Sequence, residues 1–119
     1  MVKTYAKTLS KEAIIQINKQ FSDGFARDEG ALDYIVWRVA ETRGIDRKAG
    51  RLLLEIARRH PFNDGNKRTA YESMNAFLQL NGKELSVGND SKFNVVIWTI
   101  KKKVSLNQIV IWISNHTRR

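Results

Sequence analysis

The residues of this chain that are best suited to chemistry lie in one short stretch, from His60 to Arg68, which reads HPFNDGNKR. His60 can accept a proton near neutral pH, so it is a candidate general base. Asp64 supplies a hard carboxylate oxygen, the kind of ligand that Mg²⁺ takes when it is shared with phosphate groups. A base and a metal-binding carboxylate this close in sequence indicate phosphoryl or nucleotidyl transfer.

The second half of the stretch predicts an anion-binding site. A helix is predicted to begin near Asn66, and the first N–H groups of a helix are unpaired and lie at the positive end of its dipole. Gly65 lets an anion approach the backbone because it has no Cβ atom. Lys67 and Arg68 add two positive charges, and arginine can bind a phosphate group through two hydrogen bonds.

The same residues also have an interpretation that requires no activity. A histidine before a proline is common at a helix end, and Asp-Gly-Asn is a common turn. Lys67 and Arg68 are equally typical of a solvated helix face. Phe62 is expected to anchor the turn in the core in either case. The spacing alone therefore leaves a phosphate site and a structural turn both open.

The composition restricts the class of protein. The 119 residues suit a single domain, 1–119, and 42% hydrophobic with 28% charged residues is typical of a globular fold. Lysine and arginine number 21 against 12 acidic residues, and the formal charge of +9 favours anionic partners. The absence of cysteine excludes disulfides, iron–sulfur clusters, thiolate zinc sites and a cysteine nucleophile. Since no signal peptide or long apolar run is present, we expect a cytoplasmic protein without membrane attachment.

Apolar residues at spacings of three and four predict helices on both sides of the stretch. The predicted helices cover 10–21, 31–43, 46–60 and 66–80, followed by the apolar segments 93–100 and 109–113. Asp46 is the predicted N-cap of the third helix. β-branched residues leave strands possible in the last two segments, but the capping-box spacing of Ser105 and Gln108 favours helices. The expected fold is all-α, a compact bundle of about six helices.

Two segments are predicted to be irregular. Residues 21–30 contain two glycines and mixed charge, which predicts an exposed loop. Residues 83–90 are too polar and too short for a core helix, so a short strand and a plain loop are both open.

The remaining aromatic residues have less distinctive surroundings. Trp37, Trp98 and Trp112 each lie in an apolar run, so packing in the core is expected, with a groove for a partner as the alternative. His116 lies in a polar tail, and we expect it to be solvated.

Much of the excess positive charge lies close to the stretch. Between residues 43 and 68 there are eight basic and three acidic residues. The basic ones are Arg43, Arg47, Lys48, Arg51, Arg58, Arg59, Lys67 and Arg68. The clustering indicates that the basicity serves a phosphate-handling site or an acidic protein partner, and it weakens the alternative of general nucleic-acid binding.

HPFNDGNKR resembles the signature of the Fic/Doc family, H-P-F-x-D/E-G-N-x-R, at every fixed position. The specific identity covers roughly residues 55–82, and the rest of the chain agrees in layout. Lys67 and Tyr71 stand where adenylylating Fic enzymes usually carry a glycine and a second arginine that hold the α- and β-phosphates. Residues 66–70, NKRTA, are instead similar to the Doc branch, the death-on-curing toxins of toxin–antitoxin pairs.

The resemblance implies a toxin kinase that uses ATP and Mg²⁺. Such an enzyme transfers the γ-phosphate to a serine or threonine hydroxyl of a translation factor like elongation factor Tu, which arrests translation. The resemblance assigns His60 as the base for that hydroxyl, Asp64 as the Mg²⁺ ligand and Arg68 as the third catalytic residue. It also assigns the binding of ATP phosphates to Gly65, Asn66, Lys67 and Arg68.

The resemblance implies two protein partners as well. Family members dock the target segment along a flap upstream of the motif, and Phe25 and Arg27 are the candidates here by position. Residues 8–12 have only the first part of the self-inhibitory pattern found in some Fic proteins, because Ala13 follows. Control in trans by a cognate antitoxin is therefore expected.

Two alternatives to a kinase stay open. The first is AMP transfer to a protein hydroxyl, which the residues at positions 67 and 71 disfavour. The second is a basic helical module that binds RNA or DNA with a steep salt dependence and uses the stretch only as a turn. Under the preferred interpretation, no direct nucleic-acid binding is expected.

Overall fold

The computed structural model describes residues 8–88 and 91–118. Helices account for most of these residues, in the order α1 Lys11–Lys19, α2 Glu29–Glu41, α3 Ile45–Arg59, α4 Asn66–Leu80, α5 Asn94–Lys101 and α6 Leu106–His116. Between residues 83 and 90, where a strand and a loop were both open, lies β1, Glu84–Leu85, which pairs antiparallel with β2, Thr117–Arg118. The prediction of an all-α bundle of about six helices is confirmed.

The centre of the bundle is α3, which packs against α2, α4, α5 and α6. Its largest contact is with α4. Leu52, Leu53 and Ile56 of α3, like Met74 and Phe77 of α4, are at most 1% exposed. Full burial of each such side chain contributes about 1.5–3 kcal/mol to stability. The turn between α3 and α4 is therefore held at both ends by the most extensively packed helices.

Side-chain caps confirm two of the predicted helix starts. Ser10 precedes α1 and accepts a hydrogen bond from the N–H of Ala13 at 3.1 Å. Ser105 and Gln108 form a complete capping box at the start of α6, in which each side chain accepts a hydrogen bond from the other residue's N–H group. Such caps satisfy N–H groups that have no partner within the helix.

The starts of α2 and α3 differ from the prediction. Asp28 caps α2, which therefore begins at Glu29 and takes in two residues that were assigned to the preceding loop. Gly44, and not Asp46, is the N-cap of α3. Asp46 lies in the first turn instead, where its carboxylate is 2.8 Å from the ammonium group of Lys83. Its side chain joins α3 to the segment after α4 and is not available for capping.

One of the three tryptophans does not occupy its predicted position in the core. Trp37 was expected in the core but is 53% exposed, because it lies with Tyr34 on the outer face of α2 while Leu32, Ile35 and Val39 occupy the inner face. In contrast, Trp98 and Trp112 pack against the core, as predicted.

His116 is not solvated in the way that the polar tail suggested. It is the last residue of α6 and is only partly exposed. Four residues separate it from Trp112, so the two side chains lie on one face of the helix, and their rings stack with centroids 4.3 Å apart. Its Nδ1 atom also lies 2.7 Å from the carbonyl oxygen of Trp112.

Most of the basic residues before the stretch have partners in the fold. Lys48 donates to carbonyl oxygens at the end of α2, at 2.9 and 3.2 Å. Arg58 donates to the carbonyl oxygens of residues 99 and 104, at 3.1 and 2.6 Å, and so connects α3 to the end of α5 and the segment after it. Arg51 and Arg59 both pair with the buried carboxylate of Glu55. The interpretation that the whole basic cluster serves phosphate handling is therefore wrong for these residues.

The described helices are short compared with a bilayer. None of them is long and apolar enough to cross a membrane, and the longest have 15 residues. A spanning helix needs about 20 apolar residues.

Candidate active site

The stretch from His60 to Arg68 lines a cleft of about 490 Å³ at the junction of α3 and α4. The lining residues are Phe21, His60, Asn63, Asp64, Gly65, Asn66, Lys67 and Arg68. All the residues predicted for catalysis and phosphate binding therefore meet in one place. Of the eight clustered basic residues, only Lys67 and Arg68 belong to this lining.

His60 lies where α3 ends. It is the C-cap of α3 and has a left-handed backbone, with φ 48° and ψ 60°. Pro61 explains the end of the helix, because a residue before proline disfavours the right-handed helical conformation. A positive φ is uncommon for a residue with a side chain and costs about 1–3 kcal/mol, so it persists only where the surroundings enforce it. This conformation places a half-buried imidazole at the wall of the cleft.

The turn between the two helices is closed by Asn66. Its Oδ1 accepts a hydrogen bond from the N–H of Phe62 at 3.0 Å, and its Nδ2 donates to the carbonyl oxygen of Phe62 at 2.9 Å. Phe62 is completely buried, as predicted for an anchor. Because both polar atoms of the Asn66 side chain are bonded to Phe62, the group that Asn66 can offer to an anion is its backbone N–H.

The first turn of α4 has the features of an anion site. Its N-cap, Gly65, has φ 74°, and no side chain caps the helix. The N–H of Thr69 bonds to the carbonyl oxygen of Gly65 at 2.9 Å, whereas the N–H groups of residues 66–68 precede the first helical acceptor. No acidic residue lies in this turn, and Lys67 and Arg68 are both exposed. The backbone dipole and two full charges thus act in the same direction.

Two aromatic rings flank the guanidinium group of Arg68. Its central carbon lies 5.6 Å from the ring centroid of Phe21 and 5.9 Å from that of Phe93. Such contacts contribute about 0.5–1 kcal/mol at exposed sites, so they favour one orientation of a long side chain. Phe21 was not predicted to be part of the site, since it was treated as the last apolar residue of the first helix.

Asp64 is the carboxylate that could hold a metal ion. It is exposed and lines the cleft. Across residues 8–88 and 91–118, no group of three or more histidine, cysteine, aspartate or glutamate side chains could bind a metal. Mg²⁺ is usually bound by one or two carboxylates together with substrate phosphates. Asp64 therefore fits a Mg²⁺ ion that is shared with a nucleotide, and it does not fit an independent metal site.

The loop before α2 is attached through its backbone to the stretch from His60 to Arg68. Ala26 forms an antiparallel bridge with Phe62. The N–H of Arg27 donates to the carbonyl oxygen of Pro61 at 2.8 Å. The guanidinium group of Arg27 also donates to the carbonyl oxygen of His60, again at 2.8 Å. Neither Arg27 nor Phe25 lines the cleft, but this pairing places both residues next to it.

Asn18 is a second residue that the sequence did not identify. It is completely buried, and its side chain is bonded to the loop and to both sides of Gly65. The only signal for it is an asparagine on the apolar face of α1, four residues after Ile14.

A known protein family matches the part of the chain that forms the cleft. The family model described as Fic/DOC family matches residues 8–78, which include α1 to α3, most of α4 and the whole cleft lining. A curated relative named Toxin Doc, from Mycolicibacterium smegmatis, is 42% identical over 71 residues. The alignment covers 54% of this chain and 55% of the relative, so the chain spans about half the length of the curated relative that it matches.

Proposed function

Because the chain belongs to the Fic/DOC family, we propose that it is a toxin kinase, which transfers the γ-phosphate of ATP to a serine or threonine hydroxyl of a translation factor like elongation factor Tu. The proposal places the protein in the cytoplasm, where the reaction arrests translation. The observation that carries it is one cleft that joins His60, Asp64 and the uncapped start of α4.

In the proposed reaction, His60 removes the proton from the target hydroxyl. The hydroxyl oxygen then forms a bond to the γ-phosphorus, while the bond from that phosphorus to the bridging oxygen of ADP breaks. The N–H groups at the start of α4, with Lys67 and Arg68, stabilise the negative charge on the phosphate oxygens. Bound through Asp64 and the phosphates, Mg²⁺ would neutralise part of the same charge.

The environment of Tyr71 favours phosphate transfer over AMP transfer. The resemblance places here the second arginine of adenylylating enzymes. Tyr71 is 3% exposed, and its ring packs edge-on against Phe93. A tyrosine carries no positive charge in either protonation state, and burial moves the pKa of this hydroxyl still further above physiological pH. Position 71 therefore brings no positive charge to the cleft, where such a charge would help to hold the α- and β-phosphates.

Labelled ATP distinguishes the two reactions. We expect purified elongation factor Tu, incubated with this protein and Mg²⁺, to acquire radioactivity from γ-labelled ATP and none from α-labelled ATP. Electrophoresis and autoradiography measure the transfer. Labelling from the α position alone would establish AMP transfer and overturn the kinase proposal.

The proposed use of Mg²⁺ predicts that the metal binds together with the nucleotide. Titration of Mg²⁺ into the protein alone should give no binding heat, because Asp64 belongs to no group of three or more potential metal-binding side chains among the described residues. Partners outside the first coordination shell already contribute about 10–100-fold to metal affinity, so Asp64→Asn should raise the Mg²⁺ concentration for half-maximal transfer at least as much. Asp33→Asn is the control. Asp33 is an exposed carboxylate on α2 that pairs with Lys11 of α1 and does not line the cleft. An unchanged Mg²⁺ requirement in Asp64→Asn would contradict the assignment.

We also propose that the loop before α2 receives the target protein. Phe25 is 68% exposed, so its ring is available to a target segment. Arg27 is exposed as well and is bonded to the backbone of the catalytic histidine. A target segment held here would lie close to the imidazole. The second proposed partner is a cognate antitoxin that acts in trans. The curated relative is named as a toxin, and residues 8–12 of this chain have only the first part of the self-inhibitory pattern.

A further inference from the structure

Asn18 makes three side-chain hydrogen bonds to three parts of the site. Its Nδ2 donates to the carbonyl oxygen of Asp64 at 2.9 Å and to Oγ1 of Thr69 at 3.0 Å. Its Oδ1 accepts from the N–H of Gly24 at 3.0 Å. We infer that Asn18 is a positioning residue, which fixes the catalytic turn relative to the loop before α2.

The chemistry of the asparagine amide suits this role. The group has two N–H donors and one acceptor oxygen, and in this structure both donors and the acceptor are used. Because Asn18 is completely buried, a lost partner could not be replaced by bulk water. A buried polar group left without a partner costs about 1–3 kcal/mol. The three bonds therefore strongly restrict how the turn between α3 and α4 and the loop before α2 lie relative to α1.

Asn18 acts on both sides of Gly65. One of its bonds reaches Asp64, the residue before the glycine. The other reaches the Thr69 hydroxyl, which in turn donates to the carbonyl oxygen of Gly65 at 2.7 Å. These contacts orient the peptide groups around the N-cap of α4. They thereby set the directions of the N–H groups that would hold phosphate, and the position of the backbone that carries the Asp64 carboxylate.

The backbone of Asn18 contributes to the same connection. Its carbonyl oxygen accepts hydrogen bonds from the N–H groups of Phe21 at 2.9 Å and Ser22 at 2.8 Å, just after the end of α1. These bonds turn the chain towards Gly24, whose N–H returns to the Asn18 side chain. One residue thus bonds to the base of the loop, to the backbone of Phe21 and to the turn between α3 and α4.

Two variants of Asn18 distinguish its bonds to the turn between α3 and α4 from its bond to the loop before α2. Asn18→Asp has the same shape and keeps the acceptor for Gly24, but it removes both donors to the catalytic turn. Asn18→Leu is similar in volume and removes all three bonds. Gln16→Leu is the matched control, because Gln16 is an exposed amide in the same helix.

The inference rests on the proposed kinase activity, and the expected effect is on kcat. A misplacement of about 1 Å in an active site can cost about 10²-fold in rate. We therefore expect both Asn18 variants to lower kcat for γ-phosphate transfer by about 10–100-fold and, because the first N–H groups of α4 lose their orientation, to raise the KM for ATP as well. Amide hydrogen exchange, which does not depend on activity, should be faster at Gly24 in Asn18→Leu and unchanged there in Asn18→Asp.

The outcomes are distinct. If the parent protein transfers no phosphate, the proposed function fails. If the parent is active, the inference is overturned when folded Asn18 variants have the kcat of Gln16→Leu. Should the Asn18 variants not fold, Thr69→Val and Thr69→Ser decide the question from the other end of the bond. Valine removes the hydroxyl and should lower kcat, whereas serine keeps the hydroxyl and should have the kcat of the parent. Equal kcat in these two variants would overturn the inference.

Discussion

Replacement of His60 is expected to lower kcat for phosphate transfer by about 10²–10⁴-fold, the usual contribution of a general base. The affinity for ATP should change little, because the proposed phosphate-binding groups lie at the start of α4 and His60 lies at the end of α3. Single-turnover phosphate transfer and calorimetric ATP binding measure the two quantities separately.

The choice of variant matters because the His60 backbone is left-handed, with φ 48°. Alanine at this position adds backbone strain to the loss of the imidazole. Asparagine tolerates the left-handed region several-fold better than most residues, so His60→Asn removes the base with less disturbance of the turn. His116→Ala controls for the loss of a histidine, since His116 lies at the end of α6 and does not line the cleft.

Growth provides a second measurement for the same variants. Induced expression of the parent protein should arrest growth, and expression of His60→Asn should not. If a stably folded His60→Asn protein arrests growth as strongly as the parent, the catalytic proposal is wrong. The alternative of a basic nucleic-acid-binding module predicts that outcome, and it also predicts RNA or DNA affinity that falls steeply with salt.

The local parts of the site were predictable from sequence because the interactions that form them span only a few residues. Pro61 acts on the residue before it and ends α3 at His60. The turn signal of residues 63–66 and the helical periodicity after it place the start of α4 at Asn66, as predicted. Capping by Ser10 and Ser105 is equally local. Such features place the candidate base, the candidate metal carboxylate and the candidate anion site on one short segment before any tertiary contact is known.

The contacts that position this segment could not be predicted in the same way. Asn18 bonds to residues 46 and 51 positions later in the chain, and no local pattern indicates such a pair. Arg58 likewise finds its acceptors 41 and 46 residues away, so its charge was misinterpreted as part of a phosphate site. The choice between partners at this distance depends on how the helices pack, which residue composition and spacing do not specify.

Among substitutions of the cleft residues, Gly65→Ala is expected to lower the stability of the protein most. At φ 74° an alanine is strained, which alone costs about 1–2 kcal/mol. Its Cβ would also lie 3.2 Å from Nδ2 of Asn18 and 3.4 Å from Cβ of Ser22. These neighbours are buried or partly buried, so relief of the contact requires the turn between α3 and α4 to move away from α1 and the residues that follow it. We expect a total loss of about 2–3 kcal/mol in the free energy of unfolding.

Gly82→Ala separates backbone strain from packing. Gly82 follows α4 with φ 78°, close to the value at Gly65, but a Cβ atom there would meet nothing within 4 Å. Urea denaturation of both variants should therefore give a loss of about 1 kcal/mol for Gly82→Ala, and the excess in Gly65→Ala measures the contact with α1. Because the same contact orients the first N–H groups of α4, only Gly65→Ala should also weaken ATP binding at temperatures where both variants are folded. Equal losses of stability, with equal ATP affinities, would mean that α1 does not hold the phosphate-binding turn in place.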